Sequence, residues 1–120
     1  MASDDAARAE HARNQGSLLL RSTRDGDTHV IELLGELDIA GAPSLEEELL
    51  RIEASDAAAI VCDLRGLEFI DSTGIRLIVM AADRSSADGR LTILRGSGPV
   101  HRVFELTDLV SRLPFADVES

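Results

Sequence analysis

Hydroxyl and carboxylate side chains meet in the run Asp71-Ser72-Thr73-Gly74, directly after an apolar stretch. The apolar residues that follow recur at the spacing of one helical stripe: Ile75, Ile78, Val79 and Ala82. This pattern predicts a helix that begins at the Ser72 loop. The first turn of a helix offers free N–H groups and a positive dipole end to an anion, so a phosphate on Ser72 would be tolerated there. It would add roughly −1.5 to −2 charge beside Asp71 and oppose docking of an acidic or apolar surface.

The same run also has a simpler interpretation. Asp, Ser and Thr are the preferred residues at helix N-caps, and spacing alone favours capping over chemistry. A hydrolase is not supported, because Ser72 lacks the Gly-x-Ser-x-Gly elbow. A nucleotidase is not supported either, because no glycine-rich phosphate cradle surrounds the serine.

A second polar cluster, Gly35-Glu36-Leu37-Asp38, ends a predicted strand and leads toward a helix at Pro43. Its two carboxylates could serve as a catalytic acid and base, or as a turn cap and an exposed charge. No cysteine, histidine or metal-ligand pattern accompanies them, which favours the second interpretation. The three histidines lack the spacing of a metal site: His11, His29 and His101. Neither a metal nor a cofactor is expected.

Composition narrows the function classes further. A chain of 120 residues suits one domain, and 44% hydrophobic with 28% charged residues is ordinary for a globular protein. Trp and Tyr are absent, so there is little aromatic surface for stacking bases. The net charge of −10 disfavours direct nucleic-acid binding. Cys62, in an apolar run, is interpreted as a small buried hydrophobe.

The N-terminus does not resemble a secretory signal, and no run approaches the roughly 18 apolar residues of a membrane span. A cytoplasmic location without a membrane span is therefore expected. Residues 1–16 carry no core-facing stripe and are predicted to be a mobile or weakly helical tail before a domain over 17–120.

Within that domain the pattern predicts the order β-β-α-β-α-β-α. An Asp25-Gly26 step indicates a hairpin between the first two strands, and Pro43 with Ser44-Leu45-Glu46-Glu47 suggests a capped helix start. Crossover helices imply parallel strands after the hairpin. The predicted fold class is α/β, with a small mixed sheet of four to five strands and packed helices.

Taken together, these pieces resemble the STAS domains of bacterial anti-sigma factor antagonists, over about residues 17–117. The resemblance is carried by the following segments: Gly35-Glu36-Leu37-Asp38, Val61-Cys62-Asp63-Leu64, Phe69-Ile70 leading into Asp71-Ser72-Thr73-Gly74, Pro99-Val100, and Phe104-Glu105-Leu106-Thr107-Asp108-Leu109. It implies the STAS fold, a regulatory protein without enzymatic activity, and Ser72 as the phosphoacceptor with Thr73 as a secondary hydroxyl.

The resemblance also implies partners. In this family the unphosphorylated antagonist binds an anti-sigma factor that is itself an ATP-dependent serine kinase, and so releases a sigma factor for transcription. Phosphorylation breaks the contact, and a metal-dependent serine phosphatase restores it. The expected role is thus partner switching in transcription regulation, as in stress responses.

A docking face around Ser72 is predicted from the helical spacing that places Arg76 one turn along and Met80 another turn on. Its predicted members are Asp38, Asp71, Thr73, Gly74, Arg76 and Met80. For Arg76 a solvated charge, and for Met80 a core position, remain open alternatives.

Two other functions stay open. STAS proteins also act as scaffold pieces of stress-sensing complexes or as subunits of lipid-transport ATPases, and these would bind regardless of Ser72 phosphorylation. A small-ligand or nucleotide sensor could instead hold a phosphate in the Ser72 loop, and its ligand would stabilise it by mass action.

Overall fold

The structure, a computed structural model, describes residues 8–116. Its elements in chain order are β1 (Arg8–Gln15), β2 (Leu18–Asp25), β3 (Thr28–Leu37), α1 (Ala42–Glu53), β4 (Ala59–Ile70), α2 (Ser72–Arg84), β5 (Leu91–Leu94), α3 (Gly98–Leu106), a 3-10 turn (Val110–Arg112) and β6 (Phe115–Ala116).

A single mixed sheet runs in the order β1-β2-β3-β4-β5-β6. The first three strands pair antiparallel, and β3 to β6 pair parallel. Gly26 supplies the positive φ of 62° at the turn between β2 and β3, where a residue without a Cβ is favoured. The predicted α/β class, hairpin and parallel crossovers are confirmed.

The sheet is larger than the four to five strands predicted, because β1 and the two-residue β6 add to its edges. Strand β1 occupies residues 8–15 of the segment predicted as a tail, and that prediction is wrong for these residues. Its backbone pairs with β2 from Arg8↔Asp25 to Gln15↔Leu18. An edge strand held by backbone pairing needs no apolar stripe of its own, which is why the sequence pattern missed it. Residues 1–7 of the predicted tail lie outside the described residues.

Helices α1 and α2 pack together against the sheet. Leu49 of α1 and Ile78 and Ala81 of α2 meet three sheet residues around a small apolar space: Cys62, Leu91 and Ile93. Cys62 is 2% exposed, as expected of a small core hydrophobe. Phe104 of α3 completes the core, 0% exposed and edge-on to Phe115 with ring centroids 5.3 Å apart. Within residues 8–116, no helix is long and apolar enough to cross a membrane.

Helix α1 starts differently from the prediction. It begins at Ala42 with Gly41 as N-cap and without a side-chain cap. Ser44, predicted to cap it, lies inside the first turn and is 3% exposed. The carbonyl of Asp38 accepts the N–H groups of Gly41 and Ala42 at 3.1 and 3.0 Å, so the chain is already turning two residues before Ser44 is reached.

Candidate functional site

The two polar clusters meet where β3 and β4 end side by side. Leu37 and Ile70 are register partners, and the N–H of Asp71 donates to the carbonyl of Leu37 at 3.1 Å. Parallel strands place their carboxyl ends at one edge of the sheet, and that edge is where helices α1 and α2 begin. Asp38 and the Ser72 loop are therefore neighbours, as expected.

Asp71 is the residue that caps α2. Its backbone is extended, with φ −108° and ψ −176°, and its carboxylate accepts the N–H of Gly74 at 3.1 Å. Ser72 follows as the first helical residue and is exposed. Within the described part of the chain its hydroxyl makes no hydrogen bond. Capping is thus done by Asp71, and the Ser72 hydroxyl is presented to solvent.

Gly74 has a packing role at the start of α2. It is buried, and a Cβ at this position would lie 2.6 Å from Cγ of Leu37 and 2.9 Å from Cγ1 of Ile70. Only a residue without a side chain lets the first turn of α2 approach the ends of β3 and β4 this closely. Gly74 is therefore a packing position of the site, and its place on the docking face stays a prediction.

Asp38 also has a local structural role. Its Oδ1 accepts the N–H of Ala40 at 3.0 Å and that of Gly41 at 3.4 Å, which closes the turn into α1. Side-chain bonds of this kind are typical of Asp in turns. Glu36 is exposed. The arrangement matches the turn cap and exposed charge of the second interpretation.

A groove of about 310 Å³ lies beside the Ser72 loop, between α1 and α2. Its lining combines residues of the α1 entry with one face of α2: Ile39, Ala42, Pro43, Glu46, Thr73, Arg76, Leu77 and Met80. The groove lining brings together three residues of the predicted docking face: Thr73, Arg76 and Met80. Asp38 and Asp71 lie at the adjacent loop ends, outside the lining.

Sequence reasoning missed Ile39, which is 74% exposed. A large aliphatic residue between Asp38 and the small residues Ala40-Gly41 is the signal that could have found it, since such a residue in a turn has no core to enter. Met80 is 36% exposed, so it is not the core position considered as an alternative.

The charges of the groove are sparse. Arg76 is exposed and, among the residues with described side chains, forms no ion pair. Among the described residues, Glu46 contributes the only carboxylate of the groove lining. In the described part of the chain no group of three or more His, Cys, Asp or Glu side chains could hold a metal ion.

The STAS domain model matches residues 20–120, and the chain belongs to this family. The anti-sigma-B factor antagonist of Staphylococcus aureus is 31% identical over 94 residues, which cover 78% of this chain and 87% of that protein.

Solved structures share the fold. An anti-sigma factor antagonist from Mycobacterium paratuberculosis superposes with a TM-score of 0.70 at 22% identity, covering 90% of this chain and 84% of that one. The anti-sigma factor antagonist SpoIIAA in its unphosphorylated form gives a TM-score of 0.65 at 23% identity, covering 93% and 90%. All three similar proteins are anti-sigma factor antagonists, a class of regulatory protein.

Proposed function

We propose that this protein is an anti-sigma factor antagonist whose docking onto an anti-sigma factor is switched off by phosphorylation of Ser72. The observation that carries the proposal is the position of Ser72: an exposed hydroxyl, without a hydrogen bond to any residue the structure describes, at the first residue of α2 beside an open groove. The proposed partner is an anti-sigma factor that is also a serine kinase, and a serine phosphatase restores the docking form.

The groove supports the docking step. Ile39 and Met80 are among the exposed large hydrophobic residues, and both line it. Apolar side chains grouped beside polar ones mark protein interaction sites more often than isolated ones do. Thr73 and Arg76 supply the polar part of the proposed contact, with the loop ends at Asp38 and Asp71 as its flank.

The switch follows from charge. A phosphate adds roughly −1.5 to −2 charge at Ser72. The neighbouring Asp71 carboxylate is held at the helix cap, 3.1 Å from the N–H of Gly74. A partner surface that covers the groove would have to remove water from the phosphate beside this carboxylate, which costs free energy. Each increment of about 1.4 kcal/mol in that cost weakens the binding affinity tenfold.

The first experiment identifies the kinase. The protein is incubated with ATP and each candidate anti-sigma kinase of its host, and phosphate is counted by intact-mass spectrometry. We expect one phosphate on the native chain and none on Ser72→Ala. Ser97→Ala is the matched control, because Ser97 is also exposed at a helix start after a sheet strand and makes no cap hydrogen bond. A phosphate that survives in Ser72→Ala but not in Ser97→Ala would contradict the proposal.

The second experiment measures docking by calorimetry with the kinase so identified. Ser72→Ala should bind as the native chain does, and Ser72→Asp at least tenfold more weakly, while Ser97→Asp changes little. Equal binding by Ser72→Ala and Ser72→Asp, with no effect of phosphate, would favour a scaffold or transporter-subunit role. Stabilisation by a nucleotide alone would favour the sensor.

A further inference from the structure

We propose that Arg76 binds the phosphate on Ser72, and that this ion pair withdraws the cation of the groove from the docking partner. The ion pair between Arg76 and the phosphate lies within this chain alone. Its effect on docking rests on the proposed function.

The helix brings the two side chains together. Ser72 is the first residue of α2 and Arg76 lies four residues later, and both are exposed. Side chains at this spacing are neighbours on a helix surface, with Cβ atoms about 5–6 Å apart. A guanidinium reaches that far and matches two phosphate oxygens with two parallel N–H donors.

Arg76 is available for this contact, unlike the other arginines of α1 and α2. Arg84 is held by both carboxylate oxygens of Glu53, at 2.6 and 2.9 Å, and Arg51 is paired with Glu48. Arg76 has no such partner among the residues with described side chains.

Among the described residues, the charged residues of the Ser72 loop, the Asp38 turn and the groove lining other than Arg76 are acidic. Asp71 precedes the serine, Asp38 follows the end of the adjacent strand, and Glu46 lines the groove from α1. Each of these carboxylates disfavours a dianionic phosphate, whereas the cation of Arg76 and the N–H groups at the start of α2 favour it.

The ion pair would change the groove as well as the loop. Without phosphate, Arg76 lines the groove between Thr73 and Met80 and can receive a carboxylate of the partner. With phosphate, its guanidinium turns toward Ser72. The partner then loses a cation and meets an anion, so one modification alters both charges of the docking face.

The intramolecular pair is tested without any kinase, by incorporating phosphoserine at position 72 through an expanded genetic code. The second pKa of the phosphate is read from a ³¹P NMR titration. A nearby cation lowers that pKa, so Arg76→Gln should raise it by about 0.3 pH units. Arg102→Gln is the control, since Arg102 is an exposed arginine on α3 that has no ion pair among the described residues, and it should leave the pKa unchanged. Equal pKa values in the native background and Arg76→Gln would overturn the proposal.

The docking part is tested by partner affinity. Unphosphorylated Arg76→Gln should bind about fivefold more weakly than the native chain, and Arg102→Gln should bind equally well. If Arg76→Gln binds the partner with native affinity, Arg76 does not contribute to docking, and this part of the proposal is overturned. If the phosphate pKa shifts as expected but phosphoserine at position 72 does not weaken docking, the ion pair stands and the proposed function fails.

Discussion

Replacing Gly74 by Ala probes how tightly the sheet holds the start of α2. The new Cβ would lie 2.6 and 2.8 Å from Cγ and Cδ2 of Leu37, and 2.9 Å from Cγ1 of Ile70. Ordinary carbon contacts are about 3.5–4.0 Å. Leu37 and Ile70 are 0% and 4% exposed, so neither can yield into solvent. The first turn of α2 would have to move outward.

The expected loss of stability is the difference between two opposing effects. Overpacking a core costs typically about 1–3 kcal/mol. Alanine regains up to about 1 kcal/mol over glycine in a helix, and less in its first turn. The free energy of unfolding of Gly74→Ala should therefore fall by about 1–2 kcal/mol, which in a domain of this size lowers the Tm by roughly 4–8 °C.

Urea and thermal unfolding, followed by far-ultraviolet circular dichroism, measure this change. Gly98→Ala is the control: Gly98 is also in the first turn of a helix, but a Cβ there meets nothing within 4 Å. It should stay within about 0.5 kcal/mol of the native chain. Native stability in Gly74→Ala, or an equal loss in both variants, would refute the packing argument. Because the overlap displaces Ser72, Gly74→Ala should also be phosphorylated more slowly, and Gly98→Ala should not.

Three further outcomes are expected. Asp71→Ala removes the cap of α2 and should lower the urea midpoint by the equivalent of about 1 kcal/mol, whereas Asp71→Asn should retain most of it. Burial alone would raise the pKa of Asp63, but hydrogen bonds from Arg65 at 2.8–3.0 Å hold it below its ordinary value, so its stabilisation is present above about pH 4 and lost as pH falls through the folded-state pKa. Arg65→Gln should accordingly be less stable than the native chain at pH 7, and thermal melts should show the difference shrinking below about pH 4. Burial raises the pKa of the Cys62 thiol to about 12, so a thiol reagent at pH 8 should label Cys62 only in denaturant, and labelling of the native fold would contradict its burial.

Local sequence patterns were sufficient to predict the elements that are marked by turn residues or by an apolar stripe. The Asp25-Gly26 step predicted the hairpin between β2 and β3, and the apolar stripe after Ser72 predicted α2 from its first residue. The juxtaposition of Asp38 with the Ser72 loop also followed, since parallel pairing around a crossover helix leaves few other arrangements.

Features that depend on distant partners could not be predicted in this way. Glu48 of α1 is only 2% exposed. Its carboxylate accepts a hydrogen bond of 2.6 Å from the hydroxyl of Ser22, which lies 26 positions earlier in the sequence. A buried carboxylate needs such partners, and although Arg51 of the same helix pairs with Glu48, nothing in the sequence near Glu48 indicates Ser22. The same limit explains Gly74, because its surroundings depend on the register of β3 against β4, which brings Leu37 beside Ile70.

The Ser72 loop divides its roles among neighbouring residues, and this division suits a switch. Asp71 supplies the cap and Gly74 supplies the close packing, so the hydroxyl of Ser72 is left without a structural bond in the described part of the chain. A phosphate there lies at the positive end of a helix, where an anion is tolerated or slightly favourable. The proposed phosphorylation would therefore change the charge of the proposed docking face while the fold that presents it stays in place. Had Ser72 been the cap, its phosphorylation would have altered the helix start as well, and loss of docking could not be separated from loss of structure.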